Sequence, residues 1–294
     1  MFRLFFVVFI IKIRFSNAVE CFNCESDSQG VLRCGEPCSG DVCVVWKWRT
    51  KTEFSIRQGC LKGIDQKWTA KPGCRKNHVG ASLCVCSESN MCNRVERSEH
   101  SLYPTPKIRL PAVECLRKME RNSVIGGRDG SKCVSNYCHS MKTETTFEDA
   151  SPEVFNLFNC ADVPEYDFDV RLRSSSGLVG LYTNGCYKTQ FDPNTSITDC
   201  ICSKNDCNTL IPTIKSGPTL CYMGRFKNTT AVDPKHLCSG DFCVIQEDGD
   251  QVLKGCLSVN ERNSWSRLEK GIRQVLKTKQ WVCQSNLCNY DEHR

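Results

Sequence analysis

Apolar residues in this chain fall in short runs broken by turn-forming residues. Val44-Val45-Trp46-Lys47-Trp48-Arg49-Thr50 alternates apolar and basic side chains. That two-residue period predicts a strand with one face covered and one in water. Val244-Ile245-Gln246-Glu247 and Gln251-Val252-Leu253 flank Asp248-Gly249, a pair favoured in hairpins because the turn needs positive φ. Helical periodicity is confined to Trp265–Leu276, where Leu268, Ile272, Val275 and Leu276 line one face of an expected short helix. Several short strands between turn signals predict small all-β domains.

The chain repeats itself. Cys38-Ser39-Gly40-Asp41-Val42-Cys43-Val44 recurs as Cys238-Ser239-Gly240-Asp241-Phe242-Cys243-Val244, and Cys133–Cys138 keeps the spacing between them. A second motif closes each repeat. Cys84-Val85-Cys86 leads to Cys92-Asn93, Cys200-Ile201-Cys202 to Cys207-Asn208, and Trp281-Val282-Cys283 to Cys288-Asn289. Such repetition marks one structural unit used three times. Prolines fall between the repeats, at Pro104, Pro106 and Pro111 and again at Pro212 and Pro218. They suit semi-extended spacers, since proline fixes φ and removes a donor. The expected organisation is a leader at 1–18, units at 19–97, 113–211 and 219–294, and linkers at 98–112 and 212–218.

Composition makes the units disulfide scaffolds. There are 24 cysteines in 294 residues, an even number that permits complete pairing. Domains of this size bury too little apolar surface to dispense with staples. The N-terminus explains how the chain reaches an oxidising compartment. A basic start at Arg3, the apolar run Leu4–Ile11 and the small residues Ser16-Asn17-Ala18 read as a secretory signal cleaved after Ala18. The run is shorter than the roughly 20 residues of a spanning helix. No apolar stretch follows Cys288, so neither a membrane span nor a lipid-anchor signal is expected at that end. Formal charge is +6, falling to +3 without the leader; the units carry +3, −4 and +2. None has the dense basic patch of a nucleic-acid binder.

The closing Cys-x-Cys and Cys-Asn runs, with Gly59-Cys60 and Gly255-Cys256, resemble the lymphocyte-antigen-six/urokinase-receptor superfamily. The spacing is most similar to secreted nematode variants such as the ET module. The resemblance covers almost the whole mature chain and implies an all-β, disulfide-rich protein of three tandem three-finger domains, the fold of snake toxins. It implies the pairs Cys21–Cys43, Cys24–Cys34, Cys38–Cys60, Cys74–Cys84 and Cys86–Cys92 in the first unit, which has ten cysteines. The second has eight, with Cys115–Cys138 and Cys202–Cys207 implied. Its other four cysteines admit two pairings. Spacing favours Cys133–Cys160 with Cys186–Cys200; the Gly185-Cys186 match favours Cys133–Cys186 with Cys160–Cys200. The third has six, implying Cys221–Cys243, Cys238–Cys256 and Cys283–Cys288. In the family, the terminal asparagine (Asn93, Asn208, Asn289) ties the chain end to the first strands.

Chemistry beyond disulfides is sparse. Cys21-Phe22-Asn23-Cys24 has zinc or redox spacing, but zinc needs reduced thiols and a second ligand pair, so a structural disulfide is the expectation. His78, His100, His139, His236 and His293 fit no ligand spacing, and no nucleophile elbow occurs. No enzyme activity, cofactor or metal is expected. Asn194 and Asn228 head glycosylation sequons. Arg94–Arg97 reads as a solvated linker start in preference to a processing site. Two contact surfaces stand out. One is Trp46, Lys47, Trp48, Arg49 and Lys51, whose aromatic and basic mix suits a binding hot spot. The other is the acidic stretch Glu144–Asp169, with Phe147, Phe155, Phe158, Tyr166 and Phe168. The function expected is that of a secreted extracellular binding protein, a receptor or ligand modulator or decoy. Its partner would be an extracellular or cell-surface protein, with no nucleic acid and no membrane anchor. The alternative is a structural matrix component.

Overall fold

The computed structural model describes residues 18–26, 31–49, 54–63, 72–76, 81–95, 112–122, 124–125, 130–161, 185–227, 232, 234–260 and 270–290. These residues are all-β and held by twelve disulfides. No helix among them is long and apolar enough to cross a membrane. The first cysteine group holds β1 (Val19–Cys21), β2 (Cys24–Ser26), β3 (Leu32–Cys34), β4 (Cys38–Gly40), β5 (Val42–Arg49), β6 (Phe54–Lys62), β7 (Gly73–Lys76) and β8 (Ala81–Cys86). The second holds β9 (Val113–Arg121), β10 (Val124–Ile125), β11 (Ser131–Ser135), β12 (Tyr137–Thr145), β13 (Glu153–Ala161), β14 (Gly185–Gln190) and β15 (Thr195–Cys202). The third holds β16 (Thr219–Tyr222), β17 (Gly224–Lys227), β18 (Leu237–Gly240), β19 (Phe242–Asp248), β20 (Gln251–Val259), β21 (Gly271–Val275) and β22 (Thr278–Cys283).

In each unit a central antiparallel hairpin (β5–β6, β12–β13, β19–β20) is flanked on one side by the strand that ends in Cys-x-Cys, or in Cys283. The hairpin of the third unit turns at Gly249-Asp250, where Asp248 pairs with Gln251 and Gly249 takes φ +64°. The turn thus sits one residue later than the Asp-Gly pair predicts: Asp248 closes the strand and Gly249 alone supplies the positive φ of the first turn position. All 24 cysteines lie in disulfides, and in the second unit the pairs are Cys133–Cys160 and Cys186–Cys200. The half-cystines gather at one end of each unit: Cys21, Cys38, Cys43, Cys60, Cys86 and Cys92 form one buried cluster, and equivalent clusters sit in the other two.

The three units share one antiparallel ladder. β14 of the second unit pairs with β20 of the third from Tyr187↔Val259 to Gln190↔Cys256. β21 of the third pairs with β6 of the first from Ile272↔Lys62 to Gln274↔Cys60. The order across the sheet is therefore second, third, first, which is not the chain order. β14 and β21 run away from their own cysteine clusters, while β20 and β6 run toward theirs. The antiparallel pairing thus brings all three clusters to one side of the sheet and the far ends of the described hairpin ladders, Arg49↔Phe54, Thr145↔Glu153 and Asp248↔Gln251, to the other.

The apolar cores cross the same junctions. Val275 of the third unit is buried among Val42, Val44, Trp46, Leu61, Leu83 and Val85 of the first, with Leu276 packed against them. Tyr187 and Phe191 of the second are buried with Phe242, Val244, Leu253, Leu257 and Val282 of the third. Each fully buried side chain of this size stabilises by about 1.5–3 kcal/mol, so the junctions are core and not casual contact. Ile214, in the proline-bearing stretch after the second unit, is buried against Cys186 and Cys200.

Two expectations are corrected here. The helix over Trp265–Leu276 does not form where the chain is described: Gly271–Val275 is a strand, and 261–269, with Leu268, lies outside the described residues. The 3.6-residue spacing of Ile272, Val275 and Leu276 was outweighed by ladders on both sides of the segment, to β22 and to β6, and by the turn at Leu276, where φ is +51°. The strand expected over Val44–Thr50 forms as Val42–Arg49, with Thr50 outside the described residues, but it is not half in water. Val42 to Lys47 are all buried, because both edges of β5 are paired and both faces are covered.

Candidate binding surface

A rigid base comes first, since loops recognise only when a scaffold holds them. One asparagine per unit builds that base. Asn93 Nδ2 donates to the carbonyls of Phe22, Val44 and Gly59 at 2.9, 3.1 and 3.4 Å, while its Oδ1 accepts from Phe22 N–H at 2.9 Å. Asn208 does the same with Leu116, His139 and Asn159, and Asn289 with Tyr222 and Val244. All three side chains are buried. A buried amide whose groups are all bonded locks several strands at once.

Sequence reading missed a second asparagine three positions earlier. Asn90, Asn205 and Asn286 each accept from a backbone N–H of the first strand, at Glu20, Glu114 and Leu220, at 3.0–3.1 Å. The residue after each has positive φ (Met91 +58°, Asp206 +53°, Leu287 +57°) and donates its own N–H to the same strand residue. The signal was present as Asn-x-Cys-Asn in all three units, at 90–93, 205–208 and 286–289.

The contact surface expected at Trp46–Lys51 is not available as such. Trp46 is 3% exposed and belongs to the core of the first unit, with the Arg57 guanidinium 5.6 Å from its ring centroid. Lys47 is 8% exposed, and burial lowers its pKa. The pairing of β5 with both β6 and β8 is what covers them. The side chains of Trp48 and Arg49, and all of Lys51, lie outside the described residues. The sequon Asn228 lies outside them too.

The acidic stretch of the second unit fares differently. Its residues 146–152 form the tip of the β12–β13 hairpin and are all exposed. Phe147 is 50% exposed there, beside Glu148 and Asp149. No ion pair among the described residues engages either carboxylate, whereas Glu144 and Glu153 on the strands below pair with Lys142 and Arg121 at 2.5 and 2.7 Å. Phe158 is buried and Phe155 half-buried; Tyr166, Phe168 and Asp169 lie outside the described residues. The sequon residue Asn194 adjoins this tip. Its carbonyl accepts from Thr146 N–H at 2.8 Å and from Thr146 Oγ1 at 3.2 Å, and a turn closed by Asp192 Oδ1 leaves the residue exposed.

Titratable side chains within the sheet serve structure. His139 Nε2 lies 2.7 Å from Asp199 Oδ2 across the β12–β15 ladder, and the carbonyl of His139 is held by Asn208. At the base of the second unit Lys132 bonds Asp206 at 2.9 Å and Glu114 at 3.2 Å, which raises its pKa. The cysteine trio Cys138, Cys202 and Cys207 lies within metal-ligand reach, but all three are in disulfides, so no thiolate is offered.

A family model described as a domain of unknown function, DUF7622, matches residues 214–293. The match spans the third cysteine group, including Gly255-Cys256-Leu257 and Asn286–Asn289. No curated protein matches the chain.

Proposed function

We propose that this is a secreted, non-enzymatic extracellular binding protein, a modulator or decoy for a receptor or ligand, made of three three-finger domains of the lymphocyte-antigen-six/urokinase-receptor type. The disulfides and the base clamps support the fold reading, since each unit anchors a central hairpin in a cysteine cluster. The observation that carries the functional reading is the tip of the second unit: an exposed phenylalanine beside two carboxylates that pair with no cation among the described residues, on a hairpin whose strands are laddered to β9 and β15. An aromatic anchor ringed by charge suits a partner with an apolar pocket and a basic rim.

The test is a cross-linking pull-down on cell surfaces with the full secreted protein and with a Phe147→Ala/Glu148→Lys/Asp149→Lys variant. Saturable binding that weakens at least about tenfold in the variant, and falls with added salt, supports the reading. Equal binding by both proteins removes this tip as the contact surface. Insoluble, polymeric material under non-reducing conditions would favour a structural matrix component instead.

A further inference from the structure

The glycine before the last cysteine of the central hairpin occurs in the first and third units but not in the second, which has Asn159-Cys160-Ala161 in place of Gly59-Cys60-Leu61 and Gly255-Cys256-Leu257. The positions are equivalent in space as well as in sequence, because the carbonyls of Gly59 and Asn159 accept from the clamp amides of Asn93 and Asn208 at 3.4 and 3.2 Å. Neither Gly59 nor Gly255 is among the residues with positive φ. Backbone freedom is therefore not what these positions require.

Space is. A Cβ on Gly59 would lie 2.0 Å from Gln274 O and 3.0 Å from Val275 Cγ2; a Cβ on Gly255 would lie 2.2 Å from Gln190 O and 2.6 Å from Phe191 Cδ1. In both cases the obstructing atoms belong to the strand that enters from another unit, and in both they are a glutamine carbonyl and the apolar side chain that follows it. That apolar residue is the one driven into the recipient core, Val275 in the first unit and Phe191 in the third. Two junctions separated by a whole repeat thus use the same two parts: Gly-Cys-Leu on the accepting edge, and a glutamine followed by an apolar residue on the entering strand.

We infer that the residue before this cysteine decides whether a unit accepts a strand, and that Asn159 closes the second unit to strand addition. On the outer edge of β13 the pairs run from Phe155↔Arg121 to Phe158↔Lys118; no strand among the described residues continues them past Phe158. Among the described residues the second unit donates β14 and accepts no strand in return, so it heads the ladder. With glycine at this position only in the first and third units, the second can stand only at the head, and the third and then the first follow it in the ladder. Blocking a sheet edge with a side chain is an economical means of limiting growth by strand addition.

The test installs the closed-edge residue at the open edges, in the full secreted chain. Gly59→Asn and Gly255→Asn each use a side chain that this fold already carries at the equivalent site in the second unit. Disulfide mapping should show that each variant keeps the twelve bridges of the parent. In Gly59→Asn, hydrogen exchange over Gly271–Leu276 should accelerate at least about tenfold while Tyr187–Gln190 is unchanged; Gly255→Asn should give the converse pattern. Small-angle scattering should show an expanded particle in each. Asn159→Gly should leave both junctions as they are. Val275→Asp, which leaves the first unit's own residues intact, should free β21 as Gly59→Asn does. Retained β21 protection in Gly59→Asn or Val275→Asp overturns the inference, as does loss of both junctions in either glycine variant.

Discussion

Asn23 of the first unit and Leu276 of the third face each other as two rungs of a ladder would. Asn23 Nδ2 donates to Leu276 O at 3.0 Å, and Asn23 Oδ1 accepts from Leu276 N–H. The side-chain amide stands in for a strand residue and caps the β21 turn, where the positive φ of Leu276 leaves both backbone groups in need of partners. Asn23 is buried, and the same Nδ2 also reaches Glu36 O at 3.0 Å. Asn23→Ala should therefore destabilise the protein by roughly 1–3 kcal/mol. Thermal unfolding under non-reducing conditions would measure it, and amide exchange at Leu276 should rise ahead of exchange in the central hairpins.

The base clamps should be the least forgiving polar positions. Asn289 is fully buried, and its Nδ2 donates to the carbonyls of Tyr222 and Val244. Asn289→Ala should cost about 2–4 kcal/mol by leaving those backbone groups unpaired. Asn289→Asp should be worse above the carboxyl pKa, because a carboxylate turned toward two carbonyls repels them. Secretion yield and the unfolding midpoint would separate the two variants; an aspartate variant as stable as the parent would contradict the clamp.

Lys47 makes a pH-dependent contribution whose sign is fixed. Burial lowers its folded-state pKa, so the unfolded chain holds the proton more tightly. As pH rises between the lowered folded value and the ordinary value near 10.4, the folded protein loses its proton first and stability climbs. Lys47→Met keeps the buried stem and removes the charge, so it should flatten that alkaline rise. Urea unfolding at a series of pH values would show it, and a rise of equal size in both proteins would assign the effect to another group.

The mature chain should begin at Val19. Val19 pairs with Gly40 and is buried in the cysteine cluster of the first unit, so cleavage beyond it would remove a strand. N-terminal sequencing of the secreted protein reads this directly. Peptide mapping without reduction should join Cys133 to Cys160 and Cys186 to Cys200, with no reactive thiol; a Cys133–Cys186 peptide would contradict the described base.

The amino-acid sequence alone was enough to mark three repeats, an all-β fold and, to within one residue, the hairpin turn at Gly249-Asp250, because cysteine spacing, two-residue alternation and turn chemistry are local signals. It held the Asn-x-Cys-Asn clamp in plain view. It could not place Lys47 or Trp46, since alternation records that a strand has two faces and not what lies over each. It misread Gly271–Leu276, whose 3.6-residue apolar spacing carries no trace of β6, more than 200 residues away in the chain. The difference between Gly-Cys and Asn-Cys was visible from the start, but its meaning was not. A glycine that exists to admit another strand's carbonyl is explained only by that strand, and only the tertiary structure brings Gln274 onto Gly59 and Gln190 onto Gly255.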